Sequence, residues 1–145
     1  PCVLPILMYC ASSWSPSHQY KCNIIEKVQQ RYTKSIRGLH DLPYIERLRE
    51  LRALTLRNRR VYADMTFIFK CLHGYINCEP SSFGLHTTTR SNRTRLTQKL
   101  IKNKAHGSTF CCRGPSTWNK LPPDITCCQS LNVFKRKLFN HLLGT

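Results

Sequence analysis

The chain has 145 residues, which is enough for about one domain. It carries 23 Lys and Arg against 7 Asp and Glu, which gives a formal net charge of +16, and 41% of its residues are hydrophobic. This composition is too apolar for a wholly disordered chain, and no stretch reaches the roughly 18 apolar residues of a membrane span. Charge spread along the whole chain favours a polyanion such as nucleic acid as the partner, rather than a membrane or a small acidic substrate.

The N-terminal residues 1–17 are apolar, end in a Ser15-Pro16 break and lack the basic start of a secretory signal. Because position 1 is not Met and the opening is apolar, we expect the chain to be a piece of a longer protein. With no mark of secretion, the 9 Cys are expected to be reduced and mostly buried.

Residues 18–75 have the pattern of three basic helices. The first is predicted over 20–36, with Ile25, Val28, Tyr32 and Ile36 on its buried face and Lys27, Arg31 and Lys34 on the opposite face. The second is predicted to open at Asp41-Leu42-Pro43, with Asp41 as its cap and Tyr44, Ile45, Leu48 and Leu51 buried. The third is predicted over 57–73, ended by Gly74, with a buried stripe of Val61, Met65, Ile68, Phe69 and Leu72.

The second half of the chain has a different pattern. Residues 76–92 are rich in Ser, Thr and Asn, which predicts a loop. Within 93–145, alternation over 93–101 predicts a strand with a basic face, and 108–112 is interpreted as a second short strand. A turn at Trp118–Pro122 and a last helix from Ser130 complete the region; the inward residues of that helix are Leu131, Phe134, Leu138 and Leu142. The predicted fold class is mainly α with a small β element, not a self-sufficient domain.

Motifs for catalysis and metal binding are weak in this sequence. Cys71, His73 and Cys78 lie close together, but there is no Cys-x-x-Cys pair, so buried thiols are favoured over a zinc site. There is no nucleophile elbow and no glycine-rich phosphate loop. The three Asp are widely separated, so two-metal phosphoryl transfer has no visible centre. We therefore expect no catalytic residue, no metal and no cofactor in this chain.

Basic residues form the remaining candidate site. They fall into three groups with little compensating acid, a pattern that indicates contact with the nucleic-acid backbone rather than base reading. Tyr32 and Trp118 lie in apolar patterns and are interpreted as core residues rather than base-stacking platforms. The candidate nucleic-acid-binding residues are Lys27, Arg31, Lys34, Arg37, Arg57, Arg59, Arg60, Arg90, Arg93, Arg95 and Lys99.

Short motifs also follow one another in a family-like order along nearly the whole chain. They are Pro5–Cys10, Trp14–Pro16, Glu26–Ile36, Leu42–Tyr44, Glu46–Leu48, Arg59-Arg60, Phe69–Gly74, Thr89-Arg90, Trp118–Pro122 and Ser130–Leu138. This ordered set resembles the region after the polymerase core in LINE-type (non-LTR, jockey-like) retrotransposon reverse transcriptases. The resemblance implies a C-terminal accessory region of an RNA-directed DNA polymerase, with 1–17 as the end of a thumb-like helical segment. Its implied partners are RNA or DNA and the missing upstream palm and thumb.

Three hypotheses remain open from the sequence. In the first, basic helix faces hold the RNA or DNA backbone near the polymerase. In the second, the chain is a structural docking piece or a retroelement relic with no ligand of its own. In the third, it is a zinc-binding module, which would require stoichiometric zinc in the purified protein.

Overall fold

The described residues are 19–77, 79–86, 95–97 and 109–144 of a computed structural model. They form six α-helices and one 3₁₀ turn, Pro80–Phe83. The helices are α1 Gln19–Lys34, α2 Tyr44–Glu50, α3 Leu56–Leu72, α4 Phe110–Trp118, α5 Pro123–Thr126 and α6 Leu131–Gly144. The mainly helical class is confirmed, and the described residues contain no sheet.

The hydrophobic core forms where α3 packs against α4 and α6. Phe69 of α3 stacks on Phe134 of α6 with ring centroids 4.3 Å apart, and Trp118 lies 5.8 Å from the same Phe134 ring. The inward face predicted for the last helix is confirmed, because Phe134, Leu138 and Leu142 are buried. Trp118 is 1% exposed, as expected of a core residue. The chain therefore builds its core from residues about 65 positions apart, around α3.

The predicted strand at 108–112 is wrong, because Phe110–Cys112 form the first turn of α4. Packing on α3 accounts for the helix. The Phe110 ring packs edge-on to Phe67, and a Cβ on Gly114 would lie only 3.1 Å from the Ile68 side chain. The small residue lets α4 approach α3 closely, and that tertiary contact outweighs the weak strand pattern.

Only 95–97 of the strand predicted over 93–101 belongs to the described residues. Leu96 is buried, and its backbone N–H and carbonyl both form hydrogen bonds with the side-chain amide of Asn119, as they would with a neighbouring strand. The Leu96 N–H donates to Asn119 Oδ1 at 2.9 Å, and Asn119 Nδ2 donates to the Leu96 carbonyl at 2.8 Å. This pairing gives the Asn of the Trp118–Pro122 motif a structural role.

The first helix does not bury the face that its pattern predicts. Val28 and Tyr32 are 41% and 60% exposed, and Thr33 is the buried residue of α1. The helix docks instead through polar side chains, with Gln29 Nε2 donating to the Leu54 carbonyl at 3.0 Å. Hydrogen-bond partners in the 54–56 region, supplied from a distant part of the chain, therefore set the rotation of α1.

The second helix is shorter and less buried than predicted. Ile45 and Leu51 are 50% and 39% exposed, so only Leu48 of the predicted apolar set is fully buried. Asp41 does not cap this helix, because its carboxylate pairs with His40 Nε2 at 2.8 Å. The third helix is capped by Thr55, whose Oγ1 accepts from the Asn58 N–H at 3.1 Å.

Candidate nucleic-acid interface

The exposed side of α1 carries three basic side chains on one arc. Lys27, Arg31 and Lys34 are all exposed, and at about 100° per residue they fall within roughly 60° around the helix axis. Neither ion pair of the described residues involves any of the three. These side chains, here named the basic arc, are therefore open to solvent and to a polyanion.

The one acidic residue of α1, Glu26, is turned away from the basic arc. Its carboxylate accepts from the Leu56 N–H at 3.1 and 3.2 Å and from the Tyr44 hydroxyl. Leu56 begins α3, so the carboxylate satisfies an amide that the helix leaves without an acceptor. Burial, followed by the hydrogen bond to Glu26, raises the pKa of Tyr44 above its usual range. The Glu26 carboxylate therefore binds α1 to α2 and α3 instead of pairing with the cations of the basic arc.

Arg47 of α2 holds the far end of α1. It is 7% exposed, and its guanidinium donates to Thr33 Oγ1 at 3.2 Å, to the Gln30 carbonyl at 3.4 Å and to the Leu42 carbonyl. Three acceptors around a planar guanidinium fix the turn between α1 and α2. Arg47 is therefore a structural residue whose charge still adds to the local field.

An open cleft of about 490 Å³ lies beside this junction. Its walls combine basic groups with the His40–Asp41 pair and uncharged residues. The lining residues are Gln30, Arg31, Lys34, His40, Asp41, Leu42, Pro43 and Arg47. The cleft adjoins the basic arc at Arg31 and Lys34 and gives that side of α1 a concave edge.

The other predicted basic residues are not all available to a ligand. Arg37, Arg57 and Arg95 are exposed, whereas Arg59 is half-buried and Arg60 is 6% exposed. Lys27, Arg31 and Lys34 share one side of α1, and Arg37 lies in the turn that follows this helix. Three further predicted residues, Arg90, Arg93 and Lys99, lie outside the described residues.

Two exposed tyrosines lie on α1 together with the basic arc, contrary to the sequence interpretation of Tyr32 as a core residue. Tyr20 is 74% exposed and Tyr32 is 60% exposed. Ile24 and Val28, also exposed, lie between them at steps of four residues. These four residues are here named the apolar stripe. The polar docking of α1 leaves both this stripe and the basic arc facing solvent.

The described residues do not bring potential metal ligands together. They contain no group of three or more His, Cys, Asp or Glu side chains able to hold an ion. Cys78, part of the weak zinc motif, lies outside them. Within the same ranges no disulfide forms, and no helix is long and apolar enough to cross a bilayer.

Sequence reasoning missed the two residues that hold α1 in place, Glu26 and Arg47. The available signal was a polar one. Glu26, Gln29 and Thr33 recur at steps of three and four residues, which places them on one face of α1. A polar face of this kind can dock as well as an apolar one, provided that its hydrogen-bond partners lie nearby.

Comparison with known proteins adds no relative to this picture. No protein-family model, no curated protein and no solved structure matches the chain.

Proposed function

We propose that this chain is a C-terminal accessory region of a LINE-type retrotransposon RNA-directed DNA polymerase, and that it holds the RNA or DNA backbone through the basic arc. It contributes no chemistry of its own in this proposal. The observation that carries it is the division of charge on α1. Lys27, Arg31 and Lys34 face solvent together, while the Glu26 carboxylate accepts hydrogen bonds from the Leu56 N–H and the Tyr44 hydroxyl.

The physical consequence is a concentrated positive field on a rigid helix. Phosphates that bind there release condensed counterions, which makes the affinity salt-dependent and largely independent of sequence. The cleft beside Arg31 and Lys34 allows a strand to contact the basic arc from the side as well as from above. The ordered motifs that resemble LINE-type reverse transcriptases support the same class of partner.

The test is a salt titration of binding to a fluorescent single-stranded RNA. Replacing Lys27, Arg31 and Lys34 together by Gln should make the slope of log K against log salt shallower by about 2, at about 0.7 per lost phosphate contact. A matched control replaces three other exposed cations, Arg49, Lys120 and Arg136, by Gln.

Both triple variants lose the same formal charge, so the comparison separates the site from the net charge of the protein. We expect the basic-arc variant to bind much more weakly than the control at equal salt, with unchanged circular dichroism. Equal losses of RNA affinity in the two variants would contradict the proposed site, because they would show that only the net charge attracts the RNA. No binding by the unmodified chain at low salt would refute it.

A second candidate is a structural docking piece, or a relic, with no nucleic-acid ligand. The apolar stripe favours it, because Tyr20, Ile24, Val28 and Tyr32 form an exposed surface of a kind that marks interaction sites. This candidate predicts that the unmodified chain binds no RNA at low salt and self-associates as its concentration rises. The titration above therefore discriminates between the two.

A further inference from the structure

The apolar stripe leaves two tyrosine rings in solvent on the helix that carries the basic arc. Tyr20 and Tyr32 are 74% and 60% exposed, and within the described ranges neither ring contacts another aromatic ring. The core rings are paired, as Phe69 is with Phe134. Unpartnered rings in a continuous exposed patch are typical of a surface that receives a ligand.

Positive charge is interleaved with the apolar stripe along α1. Lys27 follows Ile24 by three residues, which makes the two side chains neighbours on the helix surface. Arg31 stands in the same relation to Val28. Lys21, which is also exposed, precedes Ile24 by the same interval. The stripe spans about 18 Å of the helix axis, so one exposed side of α1 offers apolar groups and cations over that whole length.

A second copy of this chain is a poor partner for this side of α1. The chain has a formal net charge of +16, and packing stripe against stripe would bring Lys21, Lys27 and Arg31 of two copies together. Like charges that face each other across an interface oppose association. A neutral apolar peptide would use the stripe alone and leave the basic arc without a counter-charge. The surface therefore favours a partner that is anionic and also presents flat apolar faces.

An unpaired nucleic-acid strand has both properties. Its phosphates pair with Lys and Arg, and its base faces stack on aromatic rings in proteins that bind single strands. In a duplex the bases are stacked on one another, and exposing a base face requires unstacking it. A duplex therefore offers its phosphates to the cations but offers no base face to the tyrosines.

The helix presents these groups on a platform that is already in place. Gln29 and Glu26 tether the docked face of α1 to the 54–56 region. Arg47 holds the far end through a hydrogen bond to Thr33 Oγ1 at 3.2 Å. Because the helix is held before a ligand arrives, and a tyrosine has few side-chain torsions to fix, the protein loses little conformational entropy on binding.

We propose that the exposed side of α1 binds a single, unpaired nucleic-acid strand, whose bases stack on Tyr20 and Tyr32 while its phosphates contact the basic arc. The inference rests on the proposed function and adds a selection of unpaired over paired strands. Neither contact reads the base sequence or the sugar, so RNA and DNA strands are equivalent ligands. Tyr32 then serves as the stacking platform that its apolar sequence pattern argued against.

The first test removes the rings and keeps an apolar surface. Tyr20→Leu with Tyr32→Leu should lower the affinity for a fluorescent single-stranded RNA about 10-fold or more, since each stacked base adds about 5-fold or more. The slope of log K against log salt should not change, because no phosphate contact is lost. The matched control Tyr75→Leu alters a 54% exposed ring outside α1 and should leave the affinity unchanged. Tyr20→Phe with Tyr32→Phe keeps both rings and should retain the affinity.

The second test changes the ligand. An abasic strand of equal length carries the same phosphates without bases, so it should bind the unmodified chain about 10-fold more weakly than the RNA does. The double leucine variant should bind the abasic strand and the RNA equally. A DNA strand with the same base order should bind as the RNA does, and duplex RNA should lose no affinity in the double leucine variant. Because the abasic comparison uses the unmodified chain, it decides the matter even if the leucine variant does not fold.

The outcomes separate this inference from the proposed function. Unchanged RNA affinity in the double leucine variant, with a loss in the variant that replaces Lys27, Arg31 and Lys34 by Gln, would overturn the stacking and leave the proposed function standing. No binding by the unmodified chain at low salt would overturn both. Self-association, or binding to phosphatidylserine vesicles, that the leucine substitutions abolish without changing the RNA affinity would assign the stripe to a protein or a lipid surface and overturn the inference.

Discussion

Replacing Glu26 by Ala tests whether polar contacts, rather than an apolar face, hold α1 in place. The Glu26 carboxylate accepts from the Leu56 N–H at 3.1 Å and from the Tyr44 hydroxyl. Leu56 is 1% exposed, so water cannot readily replace the lost acceptor. The substitution therefore leaves a buried amide without a partner at the first residue of α3.

The expected cost follows from these contacts. A buried donor left unsatisfied costs about 1–3 kcal/mol, and the negative charge at the α3 N-terminus adds about 0.3–1 kcal/mol. The Tyr44 hydroxyl is only half-buried, so its loss contributes less. We expect Glu26→Ala to lower the free energy of unfolding by about 3 kcal/mol, which is a large part of the usual 5–15 kcal/mol or so. Glu26→Gln should cost less, because the amide oxygen can still accept from Leu56.

Urea denaturation followed by circular dichroism gives the free energy, and hydrogen exchange shows where the protein loosens. Amides of α1 should lose protection in the Glu26→Ala variant more than those of α6. The matched control is Glu46→Ala, which removes an exposed carboxylate from α2 and should change stability by no more than about 0.5 kcal/mol. A loss below about 1 kcal/mol for Glu26→Ala, or equal losses for both variants, would refute the reasoning.

Three further predictions concern the core and the α-helical junctions. Asp64→Ala removes the carboxylate that accepts from Arg113 Nε at 2.8 Å, and should lower the free energy of unfolding by about 3 kcal/mol in chemical denaturation. The double variant Asp64→Leu with Arg113→Met should recover most of that stability. If the losses of the two single variants simply added in the double variant, the prediction would be contradicted. Because the pKa of Tyr44 is raised on folding, its contribution to stability is present below the unfolded value of about 10 and is lost as the pH rises above it. Tyr44→Phe should therefore flatten the alkaline decline in urea midpoint between neutral and high pH, and an unchanged decline would count against the assignment. Phe134→Ala should lower the free energy of unfolding by about 3–5 kcal/mol, because that ring is fully buried. The control Asn132→Ala changes an exposed residue and should cost about 0.5 kcal/mol or less. Similar losses for the two variants would contradict the core described above.

Several elements of the fold follow from local pattern alone. The helical spacing of Phe134, Leu138 and Leu142 identified the buried face of α6, and the third helix was placed within one residue at each end. These elements were predictable because their apolar faces are also the faces that dock. The exposure of Lys27, Arg31 and Lys34 was predictable for the related reason that unpaired cations stay in water.

The rotation of α1 was not predictable in the same way. Its apolar residues pointed to one buried face, yet the helix docks by a different one. The partners that decide the matter, the Leu54 carbonyl and the Leu56 N–H, lie 25 and 30 residues further along the chain from Gln29 and Glu26. Periodicity reports which side chains share a face, but it carries no information on which hydrogen-bond partners that face will meet.

The sequence by itself determined that the chain is mainly helical and strongly basic, and which residues of α3 and α6 are buried. Only the tertiary structure decided that α4 is a helix and that the side chains of Glu26 and Arg47 form hydrogen bonds that hold α1 in place. It also decided that the basic arc and the apolar stripe both face solvent. The physical reason is that propensity and periodicity act within a few residues of the chain. The contacts that place α1 and α4 join groups far apart in sequence, and their free energies exceed those local preferences.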